Sequence, residues 1–396
     1  MKTGLIPALL LFSFLANAQE KQYKIRTIAF YNVENLFDTE NDTLTFDDDR
    51  TPEGKDRWTL ERYYQKLENM SRVLSEIGSE TAKTSPDIIG ICEVENLKVI
   101  QDLVNHPTLL DKDYGIVHFD SPDERGIDVA LLYKKAAFLP TSFASHRLLL
   151  INDEDERNYT RDQLLVGGML DDEHYYFIVN HWPSRSGGEA RSRPNRMAAA
   201  KLNRRIIDSL QRLHHSAKII AMGDFNDDPT DDSFKKILRT NTESDIAENG
   251  EEETKPKWGW KWKKKRNGGG DSDEKETDTQ GREVGRKKIG QRQVLPKPPG
   301  LYNPMEDLYR KGIGSLAYRD KWNLFDQIYF TENLIAPENG DYRFWKAGVF
   351  NAPYLITKKG RYKGYPFRTY AGGSYAGGYA DHFPVYMYLI KEVAPD

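Results

Sequence analysis

Six apolar runs, spread along the chain, meet a side chain that can bind a metal or move a proton. Ile28-Ala29-Phe30-Tyr31 leads to Asn32, and Ile88 through Cys92 leads to Glu93. Phe177 through Asn180 leads to His181. Ile219 through Gly223 leads to Asp224, with Asn226 two residues on. Trp322 through Phe325 leads to Asp326, and Asp381-His382 stands just before a last run, Phe383 to Ile390. Short runs bounded by polar residues read as buried strands. In α/β sheets the loops at strand ends make the functional crevice, so the pattern predicts one rim that collects these side chains. Helical spacing appears between the runs. Leu60, Tyr63, Leu67, Met70, Leu74 and Ile77 recur with Thr59 as cap and Gly78 as stop. Ser192 and Pro194 open a second helix, with Ala198, Leu202, Ile206, Leu210 and Leu213 on one face. Interleaved strands and helices, with short links after Tyr133, predict an α/β fold with mixed sheets.

The rest of the sequence restricts the chemistry of such a rim. A single cysteine among 396 residues excludes a disulfide framework, zinc fingers and thiolate-bound clusters. Any metal must then be held by oxygen or imidazole. Glu93, Asp224 and Asp381 offer hard oxygen ligands of the kind that suits Mg²⁺ or Mn²⁺. A metal there would polarise a phosphoryl oxygen, and an Asp–His pair would orient water. No Gly-x-Ser-x-Gly elbow, P-loop or His-Glu-x-x-His is present. A formal net charge of −4 rules out a basic nucleic-acid coat, so anion binding must be local.

Two segments stand apart. Lys2, the apolar run Leu5–Leu15 and Ala16-Asn17-Ala18 have the pattern of a cleaved signal peptide over residues 1–18. The expectation is a mature domain over residues 19–396, exported to the periplasm or the medium. No second apolar stretch is long enough to span a bilayer, so no stable membrane insertion is expected, and nothing points to a protein partner. Residues 242–300 hold almost no aliphatic side chains, and residues 251–300 carry 14 basic against 9 acidic groups. Such a segment reads as a largely disordered insertion. Within it, residues 255–266 interleave Lys255, Lys257, Lys261 and Lys263 with Trp258, Trp260 and Trp262. That pattern suits single-stranded nucleic acid, another anionic polymer or a membrane surface, and equally a plain solvated linker.

The ordered motifs Tyr31-Asn32-Val33-Glu34-Asn35, Ile91-Cys92-Glu93-Val94-Glu95-Asn96, Arg125-Gly126-Ile127-Asp128, Val179-Asn180-His181, Gly223-Asp224-Phe225-Asn226, Phe325-Asp326 and Asp381-His382 together resemble the endonuclease/exonuclease/phosphatase superfamily. The resemblance covers the mature chain apart from the insertion. It implies a four-layer sandwich of two mixed β-sheets flanked by helices. By the same resemblance, Asn32 and Glu93 lie at a divalent-metal site and Asp381 completes its shell or orients its water. Asp224 positions or deprotonates water, and Asn226 holds a phosphate oxygen. Asp326 and His382 form a hydrogen-bonded pair, and His181 contacts the phosphate or protonates the leaving oxygen. Cys92 stands where glutamine is common in the family. Ser184, Arg185 and Gly187-Gly188 after His181 look more like secreted bacterial nucleases than abasic-site repair enzymes.

The expected activity is a metal-dependent nuclease that hydrolyses DNA or RNA by direct attack of water. The alternative is a phosphomonoesterase or phospholipid headgroup hydrolase of the same fold. A non-enzymatic scaffold disagrees with the retention of Glu93, Asp224 and His382 together. Arg125 and Asp128 support the site or form a salt-bridged strand entry. Arg161 and Arg185 are candidates to clamp phosphates, whereas Arg193 and Arg196 read as a solvated helix face. Alternation points Cys92 away from the metal face as a buried inert thiol. The glycine-rich stretch from Tyr370 to Tyr379 is either an aromatic loop over the site or a plain surface turn.

Overall fold

Alternation along the apolar runs decides the layers. The chain is described by a computed structural model over residues 21–152, 154–246, 298–337 and 340–393. The expected signal segment, the Lys/Trp cluster and the bulk of the expected insertion (247–297) lie outside the described residues. In strand β1 (Gln22–Leu36), Ile28 and Phe30 face one way, and Ala29 and Tyr31 the other. The first pair enters a core between two sheets, and the second pair enters a core beneath helices. The second sheet repeats this division, and the result is four layers.

The first sheet has the order β16 (Arg343–Val349), β19 (Val385–Val393), β1, β2 (Ile88–Val94), β4 (Asp128–Lys134), β3 (Tyr114–His118). The second has the order β11 (Thr240–Asn241), β12 (Leu301–Tyr302), β15 (Asp326–Thr331), β10 (Lys218–Asp224), β9 (Glu173–His181), β8 (Gln163–Leu170), β5 (Phe138–His146). Both are mixed. Strands β1 and β2 run parallel, as do β9 and β10, while β19 is antiparallel to β1 and β15 is antiparallel to β10. Three small hairpins complete the strands: β6 (Leu150–Ile151) with β7 (Arg157–Asn158), β13 (Leu316–Tyr318) with β14 (Lys321–Asn323), and β17 (Tyr370–Ala371) with β18 (Ser374–Tyr375).

Helix α1 (Leu60–Glu76) forms where the spacing predicts. The Thr59 side chain accepts from Arg62 N, and Gly78 follows at φ 69°. Its Leu67, Met70 and Leu74 pack under Ile89 and Ile91 of β2 together with helix α2 (Leu97–Val104). Burying side chains of that size stabilises by about 1.5–3 kcal/mol each. Helix α3 (Glu189–Leu213) covers the second sheet through Ala199, Ile206 and Leu210. It starts at Glu189, ahead of the Ser192–Pro194 start that the sequence suggests, and Pro194 lies inside it. Arg196 corrects the expectation of a solvated face. It is fully buried, with Nε bonded to Asp227 Oδ1 at 2.5 Å and Nη1 to Ser192 Oγ at 2.8 Å. Arg193 is half exposed and paired with Glu189.

Register sets where polar side chains emerge. Asp224 of β10 lies opposite His181 on one side and Asp326 on the other. The sequence places Asp326 at the end of a strand, but it begins β15. An antiparallel strand that begins at this rim delivers its first residue to the same place where β10 delivers its last. Asp381 and His382 reach the rim likewise, just ahead of β19.

Candidate active site

Inward alternation continues past the core. Asn32 follows Ile28 and Phe30, His181 follows Phe177 and Val179, and Asp224 follows Ile220 and Met222. Asp326 precedes Ile328 and Phe330. The four polar side chains therefore cap the inter-sheet core, and all are buried. Gly223 permits the close approach of β9 and β10, since a Cβ there would lie 2.4 Å from the Asn180 carbonyl oxygen.

Glu93 arrives by another route. Cys92 takes the inward position of β2, so regular pleating would send Glu93 to the helix side. A bulge between Cys92 and Val94, with Glu93 at φ 63°, turns it back to the rim. Cys92 therefore lies in the inter-sheet core beneath the site, not away from it. It is fully buried, and burial followed by the fields of Asp224 and Glu93 holds its thiol pKa well above the ordinary range. Glu34, Asn35 and Asn226 are also left-handed, at φ 50°, 55° and 51°. Such conformations cost about 1–3 kcal/mol each and persist only where the surroundings enforce them.

The centre of the cluster is one carboxylate oxygen. Asp224 Oδ2 accepts from Asn32 Nδ2 at 3.0 Å and lies 3.9 Å from both His181 Nε2 and His382 Nε2. Glu93 Oε1 lies 3.3 Å from the same Asn32 nitrogen and 3.8 Å from His181 Nε2. His382 Nδ1 meets Asp326 Oδ2 at 2.6 Å, and Ser315 Oγ donates to that oxygen. Asn226 donates its backbone N–H to Asp224 Oδ1 at 3.0 Å and its amide to Trp182 O. Asp381 stands at the edge. Its Oδ1 lies 3.9 Å from His382 Nε2, but Arg368 holds Oδ2 at 3.0 Å, and no hydrogen bond or ion pair joins it to Asn32 or Glu93.

The two imidazoles are driven apart in charge. Burial, then Arg161, Arg125 and His382, push His181 well below its ordinary pKa, so it is neutral. Burial also opposes charge on His382, but Asp326, Asp224 and Asp381 outweigh it and raise its pKa well above the ordinary value. Burial raises Asp224 to about 7, with His382 opposing and Asp326 reinforcing.

The expected phosphate contacts divide. Arg125 is half exposed, 3.7 Å from Asp123. Arg161 is buried, and it binds Asp123 Oδ2 and Trp182 O at 2.9 and 2.8 Å. Arg185 bonds Asn226 O and Asp231 and lies over the Phe325 ring. Asp128 is bound up in holding His118 and Ser121.

Two participants are absent from the sequence-level site. Lys66, on the buried face of α1, donates to Thr369 Oγ1 at 2.6 Å and to Tyr379 O. Burial lowers it to about 8, against the fields of Glu34, Asp381 and Glu93. Glu34 accepts from Thr369 N at 2.7 Å, and burial followed by Asp381 raises it to about 7. One lysine thus faces three carboxylates. That surplus of negative charge, with Cys92 buried below, fits a hard divalent cation held by oxygen. Asp224, Asp326 and His382 also converge closely enough for one ion, as do His118, Asp120 and Asp128.

Two clefts lie among the loops around the rim. One, about 440 Å³, is lined by Arg161 and by Pro183 and Ser184 of the loop that follows His181, with no residue of the cluster in its wall. The other, about 630 Å³, is lined by Asp381, Arg368, Tyr365 and Arg361. No helix among the described residues is long and apolar enough to cross a membrane.

These shifts fix a pH dependence. In metal-free protein Asp224 and Glu34 (about 7), Glu95 (about 8) and His382 all have folded pKa values above their unfolded ones. The native state therefore binds more protons between pH 6.5 and 8, and stability falls as pH rises through that window. Two groups have the opposite sign: His181, but only below about pH 6.5, where the unfolded imidazole takes its proton, and Lys66, lowered to about 8, which offsets part of one proton at the upper end of the window and leaves the direction set by the other four. Calorimetry in EDTA should show Tm falling from pH 6.5 to 8. Mn²⁺ should raise Tm more at pH 8, because its ligands must be deprotonated. A metal-free Tm that rises across this window would contradict these directions.

The sequence matches the Endonuclease/Exonuclease/phosphatase family over residues 27–254 and 270–391. No curated protein matches it. Among solved structures, a humanized D. rerio TDP2 is 12% identical with a TM-score of 0.47, covering 92% of this chain and 98% of that one. An endonuclease/exonuclease/phosphatase family protein from Bacteroides thetaiotaomicron is 14% identical with a TM-score of 0.48, covering 94% and 98%. A mannosyl-6-phosphatase from the same organism is 14% identical with a TM-score of 0.46, covering 92% and 99%.

Proposed function

The chain belongs to the endonuclease/exonuclease/phosphatase family of metal-dependent phosphoesterases, and on that premise we propose that it is an Mg²⁺- or Mn²⁺-dependent phosphodiesterase that cuts DNA or RNA by direct attack of water. The observation that carries the reading is Asp224 Oδ2, flanked at 3.9 Å by two imidazoles, His181, which burial favours neutral, and His382, which its carboxylate neighbours favour charged. Asp224, raised to about 7, is poised to take a proton from water near neutral pH. His382, held charged by Asp326, stabilises the negative charge that builds on phosphorus. Neutral His181 donates a hydrogen bond to a phosphoryl oxygen, and Asn226 holds another. A divalent ion held by Glu93 and Asn32, with Asp381 at the edge of its shell, would polarise the phosphoryl group and stabilise the leaving alkoxide. A diester needs room for a substituent on each side of phosphorus. The cleft lined by Asp381 offers room on one side, and the loop after His181, where Pro183 and Ser184 border a second cleft, is the candidate for the other. The apolar run Leu5–Leu15 supports export, which fits a scavenging nuclease better than a chromosomal repair enzyme.

The test incubates purified protein with plasmid DNA, RNA and a panel of phosphomonoesters in Mg²⁺, Mn²⁺ or EDTA. Metal-dependent loss of polymer is expected. Intact polymer with metal-dependent phosphate release would replace this reading by the phosphomonoesterase one.

A further inference from the structure

The cleft beside Asp381 is built from segments outside both sheets, and its outer wall is basic. Residues 357–365 form a tight excursion whose base is fixed by Thr357 N to Tyr365 O at 2.8 Å and Gly364 N to Thr357 O at 2.9 Å. Its tip carries Lys358, Lys359, Arg361 and Lys363 with no acidic residue among them, and all four are exposed. Among the described residues none of the four has an ion-pair partner. Elsewhere in this chain of net charge −4, some surface cations, such as Arg193 and Lys236, are matched by carboxylates and others, such as Arg205 and Lys311, stand singly; the turn differs in placing four unpaired cations within six residues. The tip is also anchored. Tyr365 OH bonds Asp320 in the β13–β14 turn, and the Tyr365 ring packs 6.0 Å from Trp322. Exposed aromatic side chains border the same cleft, with Tyr362 40% and Tyr318 62% exposed, each with an arginine over one side of its ring.

We propose that this cleft is the track of a nucleic-acid strand, in which the turn from Lys358 to Lys363 neutralises backbone phosphates beyond the one at Asp224, and Tyr318 and Tyr362 offer ring faces to unpaired bases. This deepens the reading of the site as a nucleic-acid phosphodiesterase and rests on it. Unpaired exposed cations keep their charge for an external anion and are positioned without the cost of breaking an internal pair. Cations interleaved with aromatic faces match the alternation of phosphate and base along a strand. Asp381 lines the cleft and lies 3.9 Å from His382 Nε2, which makes the track continuous with the rim.

The test is the full chain carrying Asp224→Ala, titrated with fluorescein-labelled dT20 by anisotropy in Mg²⁺ from 50 to 300 mM KCl, with and without Lys359→Ala/Arg361→Ala. The double substitution should weaken binding about tenfold at 100 mM salt. It should also make the log–log salt slope shallower by about 1.4, at about 0.7 per single-strand phosphate contact. Equal affinity and slope would overturn the track, whatever the catalytic activity. Binding to phosphatidylserine vesicles that is lost in the double variant, with dT20 binding unchanged, would overturn it in favour of a membrane contact. Hydrolysis of bis(p-nitrophenyl) phosphate by the unsubstituted chain separates the two levels. Its absence alongside turn-dependent dT20 binding would refute the catalytic reading and keep the track. Its presence alongside turn-independent binding would do the reverse.

Discussion

Asp224→Ala should lower the rate of phosphodiester hydrolysis by about 10³-fold or more while the protein melts no lower than the parent. General-base catalysis alone contributes about 10²–10⁴-fold. Asp224 also sets the relation of the two imidazoles, since its Oδ2 lies 3.9 Å from each. The expectation for stability runs opposite to that for activity. A buried carboxylate raised to about 7 costs the native state free energy at neutral pH, and alanine removes that cost. The measurement pairs initial rates on bis(p-nitrophenyl) phosphate with thermal melts at pH 7.5. A variant that retained a tenth of the activity would remove Asp224 from the chemistry.

Glu93→Gln should abolish divalent-metal binding at micromolar concentrations and lower activity by roughly 10³-fold, the scale of losing metal stabilisation of the transition state. Glutamine keeps the size of the side chain and the left-handed backbone, so the bulge survives and only the charge is lost. The substitution leaves Asn32 Nδ2 its bond to Asp224 and leaves Lys66 facing two carboxylates in place of three. Isothermal titration with Mn²⁺ reads the metal directly, without reference to turnover. Parental affinity in the Gln variant would move the metal to Asp224, Asp326 and His382, the other convergent group at this rim.

The site was legible in the sequence where side chains follow regular pleating. Asn32, His181 and Asp224 extend the inward positions of their strands, and that periodicity is visible in the residues themselves. Glu93 was legible by position but not by direction, because a bulge after Cys92 leaves no compositional mark. Asp326 shows the same limit. A strand that ends at a rim and one that begins there look alike until the pairing is known. Lys66 and Arg196 did leave a signal. Lys66 stands three residues after Tyr63 and four before Met70, inside the apolar stripe of α1, and Arg196 stands three before the buried Ala199. A long cation at such a position must find oxygen partners inside the protein. Strand β5 is the converse case. It lies on an edge, is largely exposed and contains Pro140 beside a register shift, so it carries almost none of the apolar alternation by which strands are read.

The place of β19 decides when activity can appear during synthesis. It lies between β16 and β1, and it pairs Ile390 with Ile25 across nearly the whole chain. Until it emerges from the ribosome, β1 and β16 have bare edges, and the helix-side and inter-sheet cores lack Phe383, Val385 and Met387. Contacts of such sequence separation form slowly, and unpaired edges in the interval invite association. Asp381 and His382 are made with that strand, so a nascent chain carries no complete rim cluster, and under the proposed reading turnover is expected only once the first sheet is complete.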